Sequence, residues 1–296
     1  MYRQETDFFE NSLRVSSVKD IFTLEKLDSD LFRSQHHCQQ QRKTLFGGQV
    51  LGQSLMAAYK TLDKVLPHSL HAYFLRTGSD ESPIIFDVEN VRDGGSFVSR
   101  RSVARQFGRP IFNMSCSFHI QENGYQHQES FPSGVPSTEE LLKNRRKPKW
   151  ARDDISHTGS IPPFQILPVD GSILSKQVSE PWSCMWIKAT ETLPKDPIYH
   201  YCSLAMASDI GLLATALLPH EATVFDKNIV AGSVDHAMWF HSSDFKADEW
   251  LLYKTVSPWA GGARGFSNGS IYTREGQLIA STAQEGLIRP INLEPP

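Results

Sequence analysis

Three polar side chains in the second half of the sequence are candidates for a functional site. Asp209 lies in Met206-Ala-Ser-Asp-Ile-Gly211, beside the apolar stripe of a predicted helix, where a carboxylate is unfavourable both by helix propensity and by desolvation. Ser233 and Gln284 lie in segments with strand-like patterns. A structural role for Asp209 would require its side chain to be exposed, so we expect a functional role instead.

Several familiar catalytic motifs are absent from the sequence. The segments 52–56 and 94–98 both lack the last glycine of the G-x-S-x-G nucleophile elbow. Gly261-Gly-Ala-Arg-Gly265 is not a phosphate-binding P-loop, and a strand rather than a helix is expected after it. His36-His37-Cys38 is not expected to bind a metal, because adjacent residues of an extended segment point to opposite sides. We therefore expect no metal and no nucleophile elbow.

Composition and charge indicate an ordinary soluble globular protein. Of 296 residues, 40% are hydrophobic and 21% charged, and the formal net charge is -3. These values exclude disordered, collagen-like and disulfide-rich chains and give no general attraction to nucleic acid. No signal peptide and no apolar run of about 18 residues is present, so we expect an intracellular chain without stable membrane insertion. The four cysteines lie far apart and are expected to be reduced thiols.

The chain repeats itself once, and the repeat predicts its architecture. The offset between matching segments of the two halves changes by only three residues from the first match to the last. The matches are 71–74 with 236–239 at an offset of 165, 94–95 with 261–262 at an offset of 167, and 108–111 with 276–279 at an offset of 168.

The two halves differ chemically at the candidate positions. Asp209 matches Ser54, or Gln53 if the register slips by one, so only the second half carries a carboxylate there. Ser233 matches His68 at the offset of 165, and Gln284 matches Cys116 at the offset of 168.

His236 follows Ser233 closely and also invites a catalytic interpretation. Its neighbour Asp235 must face the other side of the strand, and His71 repeats His236 in the half that lacks the carboxylate. We therefore expect His236 to be structural.

Each half combines one helix with an antiparallel meander. The predicted helices have apolar residues spaced i, i+4, i+7 and i+11, and alternating strands follow them. Glu275-Gly276 and Phe107-Gly108 are predicted hairpin turns. The helical stripes are Leu51, Leu55, Ala58 and Leu62 in the first half and Met206, Ile210, Leu213 and Leu217 in the second.

These patterns favour an α+β tandem hot-dog fold, in which two antiparallel sheets join edge to edge and each wraps around a long helix. We assign 15–126 to the N-terminal repeat, 127–180 to a proline-rich basic linker and 181–291 to the C-terminal repeat with the catalytic residues. The basic run 145–149 in the linker is expected to be solvated rather than to bind phosphate.

Six motifs in order between about residues 45 and 290 resemble the type II acyl-CoA thioesterases, including the eukaryotic peroxisomal members. They are Leu45-Phe-Gly-Gly-Gln-Val50, Ser69-Leu-His-Ala-Tyr-Phe74, Ala207-Ser-Asp209, Val234-Asp-His-Ala-Met-Trp-Phe240, Ala263-Arg-Gly-Phe266 and Ala280-Ser-Thr-Ala-Gln-Glu-Gly286.

The resemblance implies a double hot-dog fold, hydrolysis of fatty acyl-CoA to fatty acid and CoA, and a catalytic trio that falls on Asp209, Ser233 and Gln284. Ser233 stands where bacterial members tend to have threonine, a change that keeps the hydroxyl. The chemistry needs no cofactor, since a thioester is already electrophilic and one general base can activate water. Asp209 would be that base. Ser233 and Gln284 would hold the water and Asp209 in line, and the Gln284 amide could also help to stabilise an oxyanion.

Several alternatives stay open at this point. The turn Gly47-Gly48-Gln49 is a second candidate source of oxyanion donors or of substrate positioning, although close packing would equally explain its glycines. Asp209 could instead attack the thioester to form an anhydride. The chain could also be a non-catalytic acyl-CoA-binding or regulatory protein, and a dehydratase ranks last because it would need a His-centred site.

The resemblance also implies a peroxisomal location, whereas the terminus Asn292-Leu-Glu-Pro-Pro296 carries no targeting tripeptide, so the cytoplasm is the alternative. Acyl-CoA is the expected partner, and the resemblance allows association of copies into a homo-oligomer.

Overall fold

The computed structural model describes residues 17–35, 44–63, 65–143, 159–161, 163–169, 173 and 176–291. The candidate metal segment 36–38 and the basic run 145–149 lie outside these residues. The helices are α1 (Val18–Ile21), α2 (Gly47–Tyr59), α3 (Thr138–Lys143), α4 (Pro197–Ser208) and α5 (Leu212–Thr215). The strands are β1 (Leu24–Asp28), β2 (Leu31–Ser34), β3 (Leu66–Phe74), β4 (Ile85–Asp93), β5 (Phe97–Gln106), β6 (Arg109–His119), β7 (Gly159–Ile161), β8 (Phe164–Pro168), β9 (Trp182–Ala189), β10 (Ile229–Ser233), β11 (Asp235–Phe240), β12 (Leu251–Gly261), β13 (Arg264–Tyr272) and β14 (Leu278–Pro290).

The described strands form one antiparallel sheet that spans both repeats. Its order is β1-β2-β4-β5-β6-β3-β11-β14-β13-β12-β9-β8-β7, and β10 pairs with β14 beside β11. The repeats meet at β3 and β11, where Ala72 pairs with His236 and Leu70 pairs with Met238. This junction confirms the predicted edge-to-edge joining of two sheets.

The helices α2 and α4 pack against each other and against the sheet. A Cβ atom on Gly48 would lie 2.2 Å from the Met206 carbonyl oxygen, and one on Gly52 would lie 2.8 Å from the Cys202 carbonyl oxygen. The partner number falls as the α2 number rises, so the two helices run antiparallel. The glycines allow this close approach, and it places the first turn of α2 beside the last turn of α4.

Two predicted hairpin turns are confirmed. Gly108 has a φ of 73° and Gly276 a φ of 89°, in the left-handed region that glycine adopts without strain. Phe107 precedes Gly108 with a φ of 50°, although it is not a glycine. These turns connect β5 to β6 and β13 to β14, which are the strands that carry Cys116 and Gln284.

The second predicted helix is wrong in its length. Met206 lies in α4, but the helix ends at Ser208, Asp209 is its C-cap, and Gly211 has a φ of 95°. A short helix, α5, then begins at Leu212 in a new direction. The apolar stripe therefore continues across a break that its periodicity does not show.

Part of the segment predicted as a linker belongs to the sheet. Strand β8, from Phe164 to Pro168, pairs antiparallel with β9, and β7 pairs with β8 at the edge. Phe164 is 1% exposed and Leu167 is 1% exposed, so burial of apolar side chains explains why this proline-flanked segment pairs. Among the described residues, no helix is long and apolar enough to span a membrane.

Candidate active site

The structure brings Asp209, Ser233 and Gln284 together. The Gln284 Nε2 atom donates to Asp209 Oδ1 at 2.6 Å and lies 3.1 Å from Ser233 Oγ. Ser233 Oγ donates to the same carboxylate oxygen at 3.1 Å. Gln284 is 2% exposed, whereas Asp209 and Ser233 are each partly accessible to solvent. The carboxylate therefore accepts from two side chains of the trio, and Asp209 as a residue is not fully enclosed.

Three different elements position the trio. Asp209 caps the C-terminus of α4, Ser233 ends β10, and Gln284 lies within β14. The strand that lines this side of the repeat is interrupted between β10 and β11 at Val234, whose N–H still donates to the Glu285 carbonyl oxygen at 2.9 Å. Ser233 therefore lies at the end of β10, where it pairs with Gly286 of β14, two residues after Gln284.

The N-terminal repeat contributes its own helix end to this site. The Gly48 N–H, in the first turn of α2, donates to the Asp209 carboxylate. A Cβ atom on Gly47 would lie 2.9 Å from Asp209 Oδ2 and 2.8 Å from Phe74 Cε1, so glycine is needed for the carboxylate to sit there. The positive end of the α2 dipole favours a negative charge, which offsets the unfavourable position of Asp209 at the negative end of α4.

Burial sets the acidity of the aspartate. Removal from water raises the pKa of Asp209 to about 6, while hydrogen bonds from Gln284, Ser233 and Gly48 oppose this rise. A carboxylate with this pKa is mostly ionised at neutral pH and yet is a stronger base than an exposed aspartate. The arrangement therefore suits a general base.

His236 lies directly behind Gln284. Its Nδ1 atom is 3.3 Å from Gln284 Nε2, and its Nε2 atom is 2.9 Å from Ser208 Oγ. Burial lowers the pKa of His236 to about 3, so the ring is neutral. We expected His236 to be structural because His71 repeats it, but this comparison is wrong. His236 pairs with Ala72, so His71 faces the opposite, exposed side of the sheet.

Tyr253 secures the end of the helix that carries Asp209. Its hydroxyl donates to the Ser208 carbonyl oxygen at 2.7 Å and lies 3.0 Å from Thr282 Oγ1. Tyr253 is 0% exposed, and it comes from β12, which the sequence patterns did not connect with the site. The residues that support the trio, His236, Ser208 and Tyr253, were missed. The pairing of β3 with β11 shows the difference between the two histidines: His236 pairs with Ala72 and His71 pairs with Ala237, so the two rings lie on opposite faces of the sheet.

The glycine turn lies at the site, but its donors serve other acceptors. The Gly48 N–H is taken by Asp209, and the Gln49 N–H donates to the Phe46 carbonyl oxygen at 3.1 Å. The Gln49 side chain is 0% exposed and donates to Gln53 Oε1 within the core. These contacts correct the expectation that Gly48 and Gln49 offer free oxyanion donors, because helix formation and the aspartate already use them. For Gly47, a role as an oxyanion donor or in substrate positioning stays a prediction.

The matched positions of the N-terminal repeat hold no comparable group. Ser54 lies inside α2 and is 0% exposed, and the Cys116 thiol donates to the Arg100 carbonyl oxygen at 3.6 Å. Burial raises the pKa of Cys116 to about 12, so it remains a neutral thiol. Among the described residues at these matched positions, the carboxylate is present in the C-terminal repeat alone.

Comparisons with known proteins agree with this architecture. Residues 172–287 match the family model described as acyl-CoA thioesterase, and residues 34–119 match the model described as acyl-CoA thioesterase N-terminal domain. The chain is 40% identical over 292 residues to acyl-coenzyme A thioesterase 8 of Mus musculus, an alignment that covers 94% of this chain and 90% of the mouse protein.

Two solved structures are similar to the whole described arrangement. The acyl-CoA thioesterase II TesB2 from Mycobacterium marinum has a TM-score of 0.77 and 37% sequence identity, with 94% of this chain and 99% of that chain covered. A conserved protein of unknown function with hot dog fold from Alicyclobacillus acidocaldarius has a TM-score of 0.74 at 17% identity, covering 92% and 97% of the two chains. The second likeness supports the fold alone.

Proposed function

Since this chain belongs to the type II acyl-CoA thioesterase family and hydrolyses acyl-CoA thioesters, we propose that Asp209 is the general base that activates the attacking water. The observation that carries this proposal is the carboxylate at the junction of α2 and α4, which Ser233 and Gln284 hold by one of its oxygens. Its raised pKa and its partial exposure support the role, because a base must be accessible to water and must compete for its proton.

The two neighbours orient the carboxylate in this mechanism. Ser233 and Gln284 both donate to Asp209 Oδ1, and the Gly48 N–H also donates to the carboxylate, so we assign the proton taken from water to a remaining lone pair of Oδ2. The resulting hydroxide attacks the thioester carbonyl carbon, and the tetrahedral intermediate expels the CoA thiolate. Proton return from Asp209 then gives the free acid and the CoA thiol. The buried Gln284 amide is assigned to positioning rather than to the oxyanion, because Asp209, Ser233 and His236 already surround its nitrogen as acceptors.

Thiol release from acyl-CoA tests the role of the aspartate. We expect Asp209→Asn to lower kcat by about 10²-fold to 10⁴-fold, the usual range for loss of a general base. Asp235→Asn is the matched control, because Asp235 is a nearby carboxylate that accepts from the Glu285 N–H at 2.8 Å, and an asparagine retains an acceptor there. Near-normal turnover by Asp209→Asn would remove Asp209 from the mechanism.

Hydrolysis in ¹⁸O-labelled water tests for an anhydride intermediate that water opens at the aspartyl carbon. In a single turnover, the proposed route puts the label only in the released acid. Label in the Asp209 carboxylate would instead show covalent attack by the aspartate and would overturn direct water attack.

The finer features of function rest on the family resemblance. We propose a fatty acyl-CoA substrate and a role in lipid metabolism, tested by kcat/KM across acyl-CoAs of graded chain length. A peroxisomal location and homo-oligomer formation are proposed on the same basis. Microscopy of the tagged full chain with a peroxisomal marker, and light scattering of the purified protein, test these two proposals.

A further inference from the structure

A directed chain of hydrogen bonds leads from the core to the aspartate. Ser208 Oγ donates its single proton to the Ala205 carbonyl oxygen at 2.8 Å, so it accepts at its contact with His236 Nε2. The proton of His236 is therefore on Nε2, and Nδ1 carries a lone pair. This lone pair faces Gln284 Nε2, which donates to Asp209 on its other side.

We propose that His236 is a positioning residue for thioester hydrolysis, and that its unprotonated Nδ1 holds the Gln284 amide with the nitrogen towards Asp209. This inference rests on the proposed role of Asp209 as the base. It assigns to His236 a part in the reaction without contact with the reacting atoms.

The surroundings of the Gln284 amide make its orientation consequential. Nε2 faces three acceptors, the Asp209 carboxylate, Ser233 Oγ and His236 Nδ1, whereas Gln284 Oε1 is buried with no hydrogen-bond partner among the described residues. Rotation of the amide by 180° would bring an oxygen to the place 2.6 Å from the carboxylate, where the two oxygens repel each other. Ser233 favours the same orientation, because its proton goes to Asp209 Oδ1 and its oxygen accepts from Gln284 Nε2 at 3.1 Å.

Three acceptors together set the orientation of the Gln284 amide: Asp209 Oδ1, Ser233 Oγ and His236 Nδ1. Asp209 and Ser233 belong to the trio, so His236 is the supporting contact. The Gly48 N–H, from α2, donates to the carboxylate rather than to the amide. The Tyr253 hydroxyl, from β12, donates to the Ser208 carbonyl oxygen and keeps its proton, because burial raises its pKa well above the usual range.

Burial keeps His236 in the required state throughout the working range of pH. Its pKa is lowered to about 3, so the ring does not become protonated on Nδ1 near neutral pH. Ser208 selects which nitrogen carries the proton of the neutral ring. Ser208→Ala removes the acceptor that keeps the proton on His236 Nε2, while leaving the imidazole in place.

Two substitutions of His236 separate its two hydrogen bonds. Asparagine places an acceptor oxygen where Nδ1 stands, and glutamine reaches the position of Nε2 instead. We expect His236→Asn to keep kcat/KM within about 3-fold, whereas His236→Gln loses about 10-fold to 100-fold, the range for an unmade buried hydrogen bond. In His236→Gln and in Ser208→Ala, the midpoint of the acidic limb of kcat/KM rises above that of the wild type, because the turned amide no longer stabilises ionised Asp209.

The pH profile distinguishes positioning from packing. Equal losses in His236→Asn and His236→Gln, with the acidic limb unmoved in Ser208→Ala, would show that His236 acts only through packing and would overturn the proposal. Circular dichroism at each pH ensures that folded protein is compared, and Ser208→Ala supplies the test if a His236 variant does not fold. Gln284→Ala is measured beside them. Wild-type activity in that variant would refute the proposed role of the trio independently of His236.

Discussion

Asp209→Asn should remove activity and also remove a stability cost that grows with pH. The asparagine cannot ionise, and its Oδ1 can still accept from Gln284 and Ser233, while the wild-type carboxylate also accepts from the Gly48 N–H, a bond whose loss does not depend on pH. The wild type must keep a charged carboxylate in a site that raises its pKa from 3.8 to about 6. The charge therefore costs stability that the variant recovers.

The sign and the pH window follow from proton linkage. Between about pH 4 and pH 6 the folded protein keeps the Asp209 proton that the unfolded chain has released, so the free energy of unfolding falls as pH rises through this window. Above pH 6 the cost is constant. The pKa of Asp209 rises by about two units, and at about 1.4 kcal/mol per unit this gives a cost of about 3 kcal/mol. Partial exposure of Asp209 makes this an upper value.

Urea unfolding at pH 4.5 and at pH 7.5 measures this cost. The free energy of unfolding of Asp209→Asn minus that of the wild type should be larger at pH 7.5 by up to about 2 kcal/mol, because about 1 kcal/mol of the cost is already present at pH 4.5, and the m-values of both proteins should be equal. Other titrating groups cancel in this difference because both proteins contain them. A difference that does not change with pH, or that becomes smaller as pH rises, would refute the assignment of a raised pKa to Asp209.

Three further outcomes are expected. In the wild type, kcat/KM should rise from acidic pH with a midpoint near pH 6, because the base must be ionised, and a profile flat down to pH 4.5 would contradict this. Gly48→Ala should lower the free energy of unfolding by about 1–3 kcal/mol in urea titrations, since the new Cβ would lie 2.2 Å from the Met206 carbonyl oxygen. Gly95→Ala is the control, because a Cβ there would have no atom within 4 Å, and it should change the free energy of unfolding by less than about 0.5 kcal/mol. Tyr253→Phe should lower it by about 1–3 kcal/mol, because the Ser208 carbonyl oxygen loses its donor, and an unchanged urea midpoint would show that this bond contributes nothing.

The internal repeat favoured the tandem hot-dog fold, because glycine turns and hydrophobic periods are local properties of the chain, and the six family motifs implied the same fold. The turns at Gly108 and Gly276 have the positive φ that such turns require. The break after α4 was not predicted, since apolar residues continue at helical spacing across Gly211. Strand β8 was hidden because prolines flank Phe164, and only its pairing with β9 shows that it belongs to the sheet.

The candidate site could be predicted only in part. Asp209, Ser233 and Gln284 were found because each differs from its match in the other repeat, and the structure brings them within hydrogen-bond distance. The roles of His236 and Gly48 could not be predicted in the same way. A one-residue error in strand register reverses the face of a side chain, and the approach of α2 to α4 depends on tertiary packing.

A single polypeptide allows its two repeats to differ, as two identical subunits cannot. Here one repeat supplies the acid and the other supplies the amide group of Gly48 that faces it, so neither half can form this centre by itself. The stoichiometry follows directly. A slowly hydrolysed acyl-CoA analogue should titrate one equivalent of reactive centres per chain, however many chains assemble.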